Sequence, residues 1–213
     1  MKPSWYDLLD NQPFIQLNQN NIIRMSKSTS IFNTPIIPLN IQRVTSVNPN
    51  IVRTIYETMV LPKALYGCEL WNTYSKQDIN NLEKAHRFCV KHMQQFVKSN
   101  STYFSLSCIN LVTIETFIDF KKLQLLGQLC RFPCRHLSKS VFVHRLVSFM
   151  NDDKQCVGFI PHIYKLLDKY QLVGYILTLL KDALFPSKSV WRAILRQHVL
   201  QSNIQTMKQE LMH

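Results

Sequence analysis

Glycine is the residue whose scarcity most limits what this chain can fold into. Only 4 of the 213 residues are glycine, far below the usual share of roughly 7%. Sheets joined by tight turns, and loops that cradle phosphate, need backbone conformations that glycine adopts most easily. From Asn50 onward, apolar residues instead recur at spacings of three and four. The sequence therefore predicts a mainly α protein, an irregular bundle of about seven or eight helices.

The chain has two parts of different composition. Residues 1–46 are rich in Asn, Gln, Ser, Thr and Ile, contain several prolines and show no sustained apolar period. This is typical of a loosely ordered N-terminal arm. Residues 47–213 carry the helical patterns and form the predicted folded domain. We see no secretory signal and no apolar run long enough to span a membrane, so we expect an intracellular protein, nuclear or cytoplasmic, with no membrane partner.

Caps and prolines predict several helix boundaries. Pro62 is expected to separate two short helices, 50–60 and 63–71, because proline is best tolerated in the first turn of a helix. The clearest amphipathic pattern predicts a helix at 76–97. Thr113 is a predicted N-cap for a helix over 114–130, whose apolar residues cover more than half its circumference. We expect that helix at the centre of the bundle.

Positive charge is the main indication of function. Lys and Arg outnumber Asp and Glu by 25 to 13, giving a formal net charge of +12. The expected partner is therefore a polyanion, nucleic acid before an anionic membrane surface. Lys84, Arg87, Lys91 and Lys98 follow one another at spacings of three, four and seven, which predicts one ridge opposite the apolar face of helix 76–97.

A second basic stretch lies between Thr116 and Asn151, where Asp119 is the single acid. Its cations are Lys121, Lys122, Arg131, Arg135, Lys139 and Arg145. Phosphates neutralised by such a surface release counterions, so we expect binding to weaken steeply with salt. Together with the ridge, these are the predicted nucleic-acid contacts.

The acidic, cysteine and histidine residues of this sequence do not match the spacing of known catalytic or metal-binding motifs. Asp152 and Asp153 are the only adjacent acids, but Met150 stands where polymerases of the Tyr-x-Asp-Asp type have an aromatic residue, so we interpret the pair as a solvated turn. Cys130, Cys134, His136 and His144 lack the paired spacing of zinc sites. We expect no catalytic residue, no metal, no cofactor and no small-molecule substrate.

One segment resembles a known protein family. Residues 60–71, Val-Leu-Pro-Lys-Ala-Leu-Tyr-Gly-Cys-Glu-Leu-Trp, resemble the segment that follows the polymerase domain in reverse transcriptases of non-LTR (LINE-type) retrotransposons, as found in invertebrate elements. Its most distinctive positions are Tyr66, Gly67, Glu69 and Trp71. Weaker similarity at 78–89, 126–133, 158–161 and 185–191 extends the resemblance over about 48–196.

The resemblance implies a thumb and C-terminal extension that holds RNA or an RNA–DNA hybrid beside the palm domain of a reverse transcriptase. The palm carboxylates and the endonuclease of that family have no counterpart in this chain, so we expect no enzyme activity from it alone. Two alternatives stay open. The chain could be a helical protein–protein interaction module, whose cations mainly keep it soluble, or a non-functional relic of a retroelement.

Two aromatic residues in the distinctive segment have two interpretations. Tyr66 and Trp71 would be core anchors at a corner between helices, with Gly67 allowing close packing, because buried aromatics are the commoner case. Alternatively, one of the two rings would stack on a nucleotide. Exposure of Trp71 would favour the second interpretation.

Overall fold

The computed structural model describes residues 48–72, 74–133, 135–151 and 158–212, which contain eight helices and no strand. The helices are α1 (Pro49–Ile55, Tyr56–Val60 and Leu61–Ala64 in succession), α2 (Lys76–Met93), α3 (Thr102–Cys108), α4 (Ile114–Arg131), α5 (Leu137–Asn151), α6 (Phe159–Lys169), α7 (Val173–Asp182) and α8 (Lys188–Leu195, Arg196–Leu200 and Gln201–Met212 in succession). The prediction of a mainly α protein is confirmed. The predicted arm lies outside the described residues, as do Cys134, Asp152 and Asp153.

Helix α1 continues through Pro62, so the predicted break at this proline is wrong. Tyr56–Val60 forms a π-helical turn, and the N–H of Leu61 bonds to the carbonyl of Tyr56, five residues earlier. A proline ring normally clashes with the carbonyl four residues before it, and a wider turn relieves that contact. The predicted helix 63–71 ends instead at Ala64, because Gly67 adopts a left-handed backbone with φ of 72°.

Side-chain caps start three of the helices, and the predicted cap at Thr113 is present. Ser75 accepts a hydrogen bond from the backbone N–H of Asp78, whose carboxylate accepts one from the backbone N–H of Ser75, and this reciprocal box starts α2. Ser101 caps α3 and Thr113 caps α4 through the same kind of side-chain oxygen. These polar residues therefore set where three helices begin.

Helix α4 lies at the centre of the bundle, as predicted. Its first half packs into a core shared with α1, α2 and α3, where Ile114 and Ile118 are buried. Its second half packs with α5, α6, α7 and α8, where Leu123 and Leu126 are buried. One helix therefore contributes to both hydrophobic clusters and joins them.

In the part of the chain that the structure describes, no helix is both long and apolar enough to cross a membrane.

Candidate nucleic-acid interface

The solvent side of α2 carries the first predicted group of cations. Lys84 is exposed, and Arg87 and Lys91 are half-buried. Three and four residues separate them, so they are neighbours on one helix face. The exposed ring of Phe88 lies between them on that face. We call these four residues the α2 ridge.

Lys98 follows the end of α2, and the structure holds its loop against the ridge. The ammonium of Lys91 donates to the carbonyl of Lys98 at 2.8 Å and also to the carbonyl of Asn100. Lys91 thus holds the loop through two backbone carbonyls, and the Lys98 side chain is exposed. The predicted helix 76–97 ends at Met93, so Lys98 is not on the helix face that carries the other three cations.

Lys122 is not part of a surface, so its predicted role as a nucleic-acid contact is wrong. It is fully buried, and its ammonium donates to the carbonyl of Trp71 and, at 2.9 Å, to Nε2 of His162. The ammonium also lies 4.7 Å from the ring centre of Tyr74. Burial lowers the pKa of Lys122 to about 8. This lysine ties the α1–α2 connection to α4 and α6.

The other cations of the second stretch lie at least partly in solvent. We call them the α4–α5 stretch: Lys121, Arg131, Arg135, Lys139 and Arg145. Arg135 and Arg145 are exposed, and the remaining three are half-buried. The ammonium of Lys121 lies 5.4 Å from the ring centre of Phe117 in the preceding turn. The stretch runs from α4 through its corner with α5.

Among the described residues, no carboxylate forms an ion pair with these cations. In the described ranges the ion pairs are Arg53 with Glu57 and Lys169 with both Glu115 and Asp119. No cation of the α2 ridge or the α4–α5 stretch belongs to one.

Two further acids close to these cations are used inside the fold. Glu83 is buried and accepts the backbone N–H of Glu115 at 3.2 Å, at the positive end of α4. Burial raises the pKa of Glu83. Asp78 belongs to the capping box of α2. Both carboxylates accept backbone hydrogen bonds, and neither forms an ion pair with a cation of the α2 ridge in the described residues.

The two aromatic residues of the distinctive segment, Tyr66 and Trp71, differ in burial. Trp71 is 1% exposed and belongs to the core, as predicted, whereas Tyr66 is 66% exposed, so its prediction as a core anchor is wrong. Gly67 adopts a left-handed backbone with φ of 72°, a conformation that glycine adopts most easily. The carboxylate of Glu69 accepts a weak hydrogen bond from Sγ of Cys68 at 3.8 Å.

Two ring pairs beside the basic residues were not predicted. Phe88 stacks on His92 and Phe132 stacks on His136. In each pair the rings are four residues apart in sequence. Phe88 and His92 share one face of α2, a spacing at which helical side chains meet, whereas Phe132 and His136 lie in the turn between α4 and α5. The helical spacing next to lysines and arginines could have identified the first pair only.

Within the described residues no group of three or more His, Cys, Asp or Glu side chains could hold a metal ion.

Comparison with known proteins found no matching family, no matching curated protein and no matching solved structure.

Proposed function

We propose that this protein binds the sugar–phosphate backbone of nucleic acid and performs no chemistry of its own. The observation that carries the proposal is that nine cations in the α2 ridge, its Lys98 loop and the α4–α5 stretch have no carboxylate within ion-pair distance in the described part of the chain. The resemblance to the post-polymerase region of reverse transcriptases supports RNA or an RNA–DNA hybrid as the ligand, and a palm domain as a neighbouring partner.

Two arginines among these cations carry unused hydrogen-bond donors. Nε of Arg87 and Nη1 of Arg131 are buried atoms with no acceptor among the described residues. Because these two atoms are shielded from solvent, a phosphate at either surface would contact the other nitrogens of each guanidinium, which are strong donors to phosphate oxygens.

The test is a fluorescence-anisotropy titration of a labelled RNA–DNA hybrid at about 50 mM and 200 mM salt. Each phosphate contact contributes about 0.7 to 0.9 to the slope of log K against log salt. We expect a steep slope for the wild type, and a slope shallower by one to two units for Lys84→Gln/Arg87→Gln and for Arg131→Gln/Arg135→Gln.

The matched control is Lys188→Gln/Arg192→Gln, which removes two exposed cations four residues apart on α8, outside both basic surfaces. This variant should keep the wild-type slope. Affinity that does not change with salt, or an equal change in all three double variants, would contradict backbone binding at the proposed surfaces.

A second candidate function, protein–protein interaction, is favoured by the outer side of α1. Ile51, Ile55 and Met59 recur at spacings of four and are 56%, 49% and 66% exposed, while the opposite side of the helix is buried in the core. An exposed apolar stripe of this kind is typical of an interaction surface. Sedimentation velocity with the wild type and Ile55→Glu/Met59→Glu tests a second copy of this chain as partner. A monomer at all concentrations would exclude self-association.

A further inference from the structure

An exposed phenylalanine lies among the cations of the α2 ridge. Phe88 is 47% exposed, and it follows Lys84 by four residues and precedes Lys91 by three. Side chains at these spacings share one helix face. Phosphate binding alone does not require a large apolar ring at this position, and exposing the ring to water is unfavourable.

The ring of Phe88 lies beside the ring of His92. It lies nearly parallel to the ring of His92, with centres 5.9 Å apart and an angle of 9° between the planes. Among the described residues no cation and no second ring contacts Phe88. The pair is therefore an oriented aromatic platform with cations around it.

A second stacked phenylalanine–histidine pair occurs in the α4–α5 stretch, in the turn between the two helices. Phe132 and His136 stack with ring centres 4.4 Å apart and an angle of 20°. Arg131 precedes the phenylalanine and Arg135 precedes the histidine, so this pair also lies among positive charges. Two basic surfaces in different parts of the chain thus each hold a stacked phenylalanine–histidine pair.

We propose that the α2 ridge selects single-stranded nucleic acid over a duplex by stacking an unpaired base on Phe88 while Lys84, Arg87 and Lys91 hold the adjacent phosphates. The inference rests on the proposed function and specifies its ligand. Base faces are covered inside a duplex, whereas a single strand presents them to aromatic side chains. Stacking tolerates any base, so the selection concerns strandedness and not sequence.

The test compares three labelled ligands of equal length: oligo(U), oligo(dT) and an RNA–DNA hybrid. We expect Phe88→Leu to weaken binding of both single strands by about five- to a hundredfold, while affinity for the hybrid changes less than about twofold. The salt slope should stay at its wild-type value, because no cation is removed. Phe88→Trp should restore single-strand affinity.

The matched control is Phe104→Leu on α3. Phe104 is 48% exposed, and no lysine or arginine lies three or four residues from it in the sequence. We expect this variant to bind all three ligands as the wild type does. Circular dichroism checks that each variant is folded.

The outcomes separate the two proposals. If Phe88→Leu weakens all three ligands equally, or weakens none, base stacking on Phe88 is excluded while backbone binding stands. If wild-type protein binds neither single strands nor the hybrid, both proposals are excluded. A preference for only one of oligo(U) and oligo(dT) would locate the selection in the sugar or the base identity and would overturn selection by strandedness.

Discussion

The indole of Trp191 in α8 lies directly against the backbone of Gly127 in α4. A Cβ atom built on Gly127 would be 2.3 Å from Cδ1 of Trp191, far inside van der Waals contact. The indole N–H donates to the carbonyl of Leu123, one turn earlier on α4, at 2.9 Å. Glycine at 127 therefore allows α8 to approach α4 closely enough for this bond.

Gly127→Ala should destabilise the protein by about 1 to 3 kcal/mol, the usual cost of overpacking a core. Alanine has the better helix propensity by roughly 1 kcal/mol, but the backbone of α4 cannot move away from Trp191 without breaking its other core contacts. Urea denaturation measures the change.

Gly174→Ala in α7 is the control for this substitution. No atom lies within 4 Å of a Cβ built there, so the variant should be as stable as the wild type or slightly more stable. Equal stabilities for the two alanine variants would show that the Gly127–Trp191 contact is not tight.

His86 is a buried histidine whose neutral form the structure requires. Its Nε2 lies 3.1 Å from the carbonyl of Val112 and its Nδ1 lies 2.7 Å from the hydroxyl of Tyr56. A carbonyl only accepts, so Nε2 carries the proton and Nδ1 accepts from the tyrosine. Burial lowers the pKa of His86 to about 4.

Stability should therefore fall as the pH drops from about 6.5 to about 4. Over this range the unfolded state binds a proton at residue 86 and the folded state does not, so stability rises with pH. His162 acts in the same direction, because burial and the charge of Lys122 lower its pKa to about 4. The full effect of His86 is roughly 3 kcal/mol.

Denaturation curves at several pH values check this dependence. His86→Gln should be less stable than the wild type at pH 7, because it loses two buried hydrogen bonds, but its stability should change less between pH 6.5 and 4. His162→Gln should flatten the curve as well. An unchanged pH dependence in both variants would exclude these histidines as its source.

Local chemistry explains which features the sequence could predict. The caps at Ser75, Ser101 and Thr113 depend on one side chain and its own helix, so they could be identified without the fold. The continuation of α1 through Pro62 depends on a π-helical turn, which has no simple pattern in the sequence. The exposure of Tyr66 follows from the left-handed turn at Gly67, which apolar periodicity does not reveal.

The burial of Lys122 was predictable in principle. It stands four residues after Ile118 and four before Leu126, both in the core, so helical geometry places it on the buried face. The sequence prediction instead placed Lys122 with Lys121 among the cations that contact nucleic acid. What could not be predicted is its partner, because the carbonyl of Trp71 lies 51 residues away along the chain.

Lys122→Met should destabilise the protein by about 1 to 3 kcal/mol, because the carbonyl of Trp71 loses its buried donor. The salt slope of nucleic-acid binding should stay at the wild-type value. Lys121→Met should have the opposite profile, with nearly unchanged stability and a salt slope shallower by about 0.7 to 0.9. The two measurements on adjacent lysines distinguish a structural from a ligand-binding cation. A shallower slope in a folded Lys122→Met protein would contradict the assignment.

Lys169 forms ion pairs with two carboxylates in different environments. Asp119 is buried and accepts from Lys169 and from the hydroxyl of Tyr170, both at 2.8 Å. The side chain of Glu115 is 58% exposed and lies 3.4 Å from the same ammonium. The two acids therefore allow a buried and an exposed pair to be compared with one shared lysine.

Asp119→Ala should cost about 1 to 3 kcal/mol, because it leaves the buried Tyr170 hydroxyl without its acceptor, whereas the Lys169 ammonium, whose side chain is 44% exposed, is hydrated. Glu115→Ala should cost no more than about 1 kcal/mol, since exposed ion pairs contribute little. Tyr170→Phe combined with Asp119→Ala should show a coupling of about 0.5 to 3 kcal/mol in a double-mutant cycle measured by urea denaturation. Equal losses for the two alanine variants, or no coupling, would contradict a buried network that joins α4 to the end of α6.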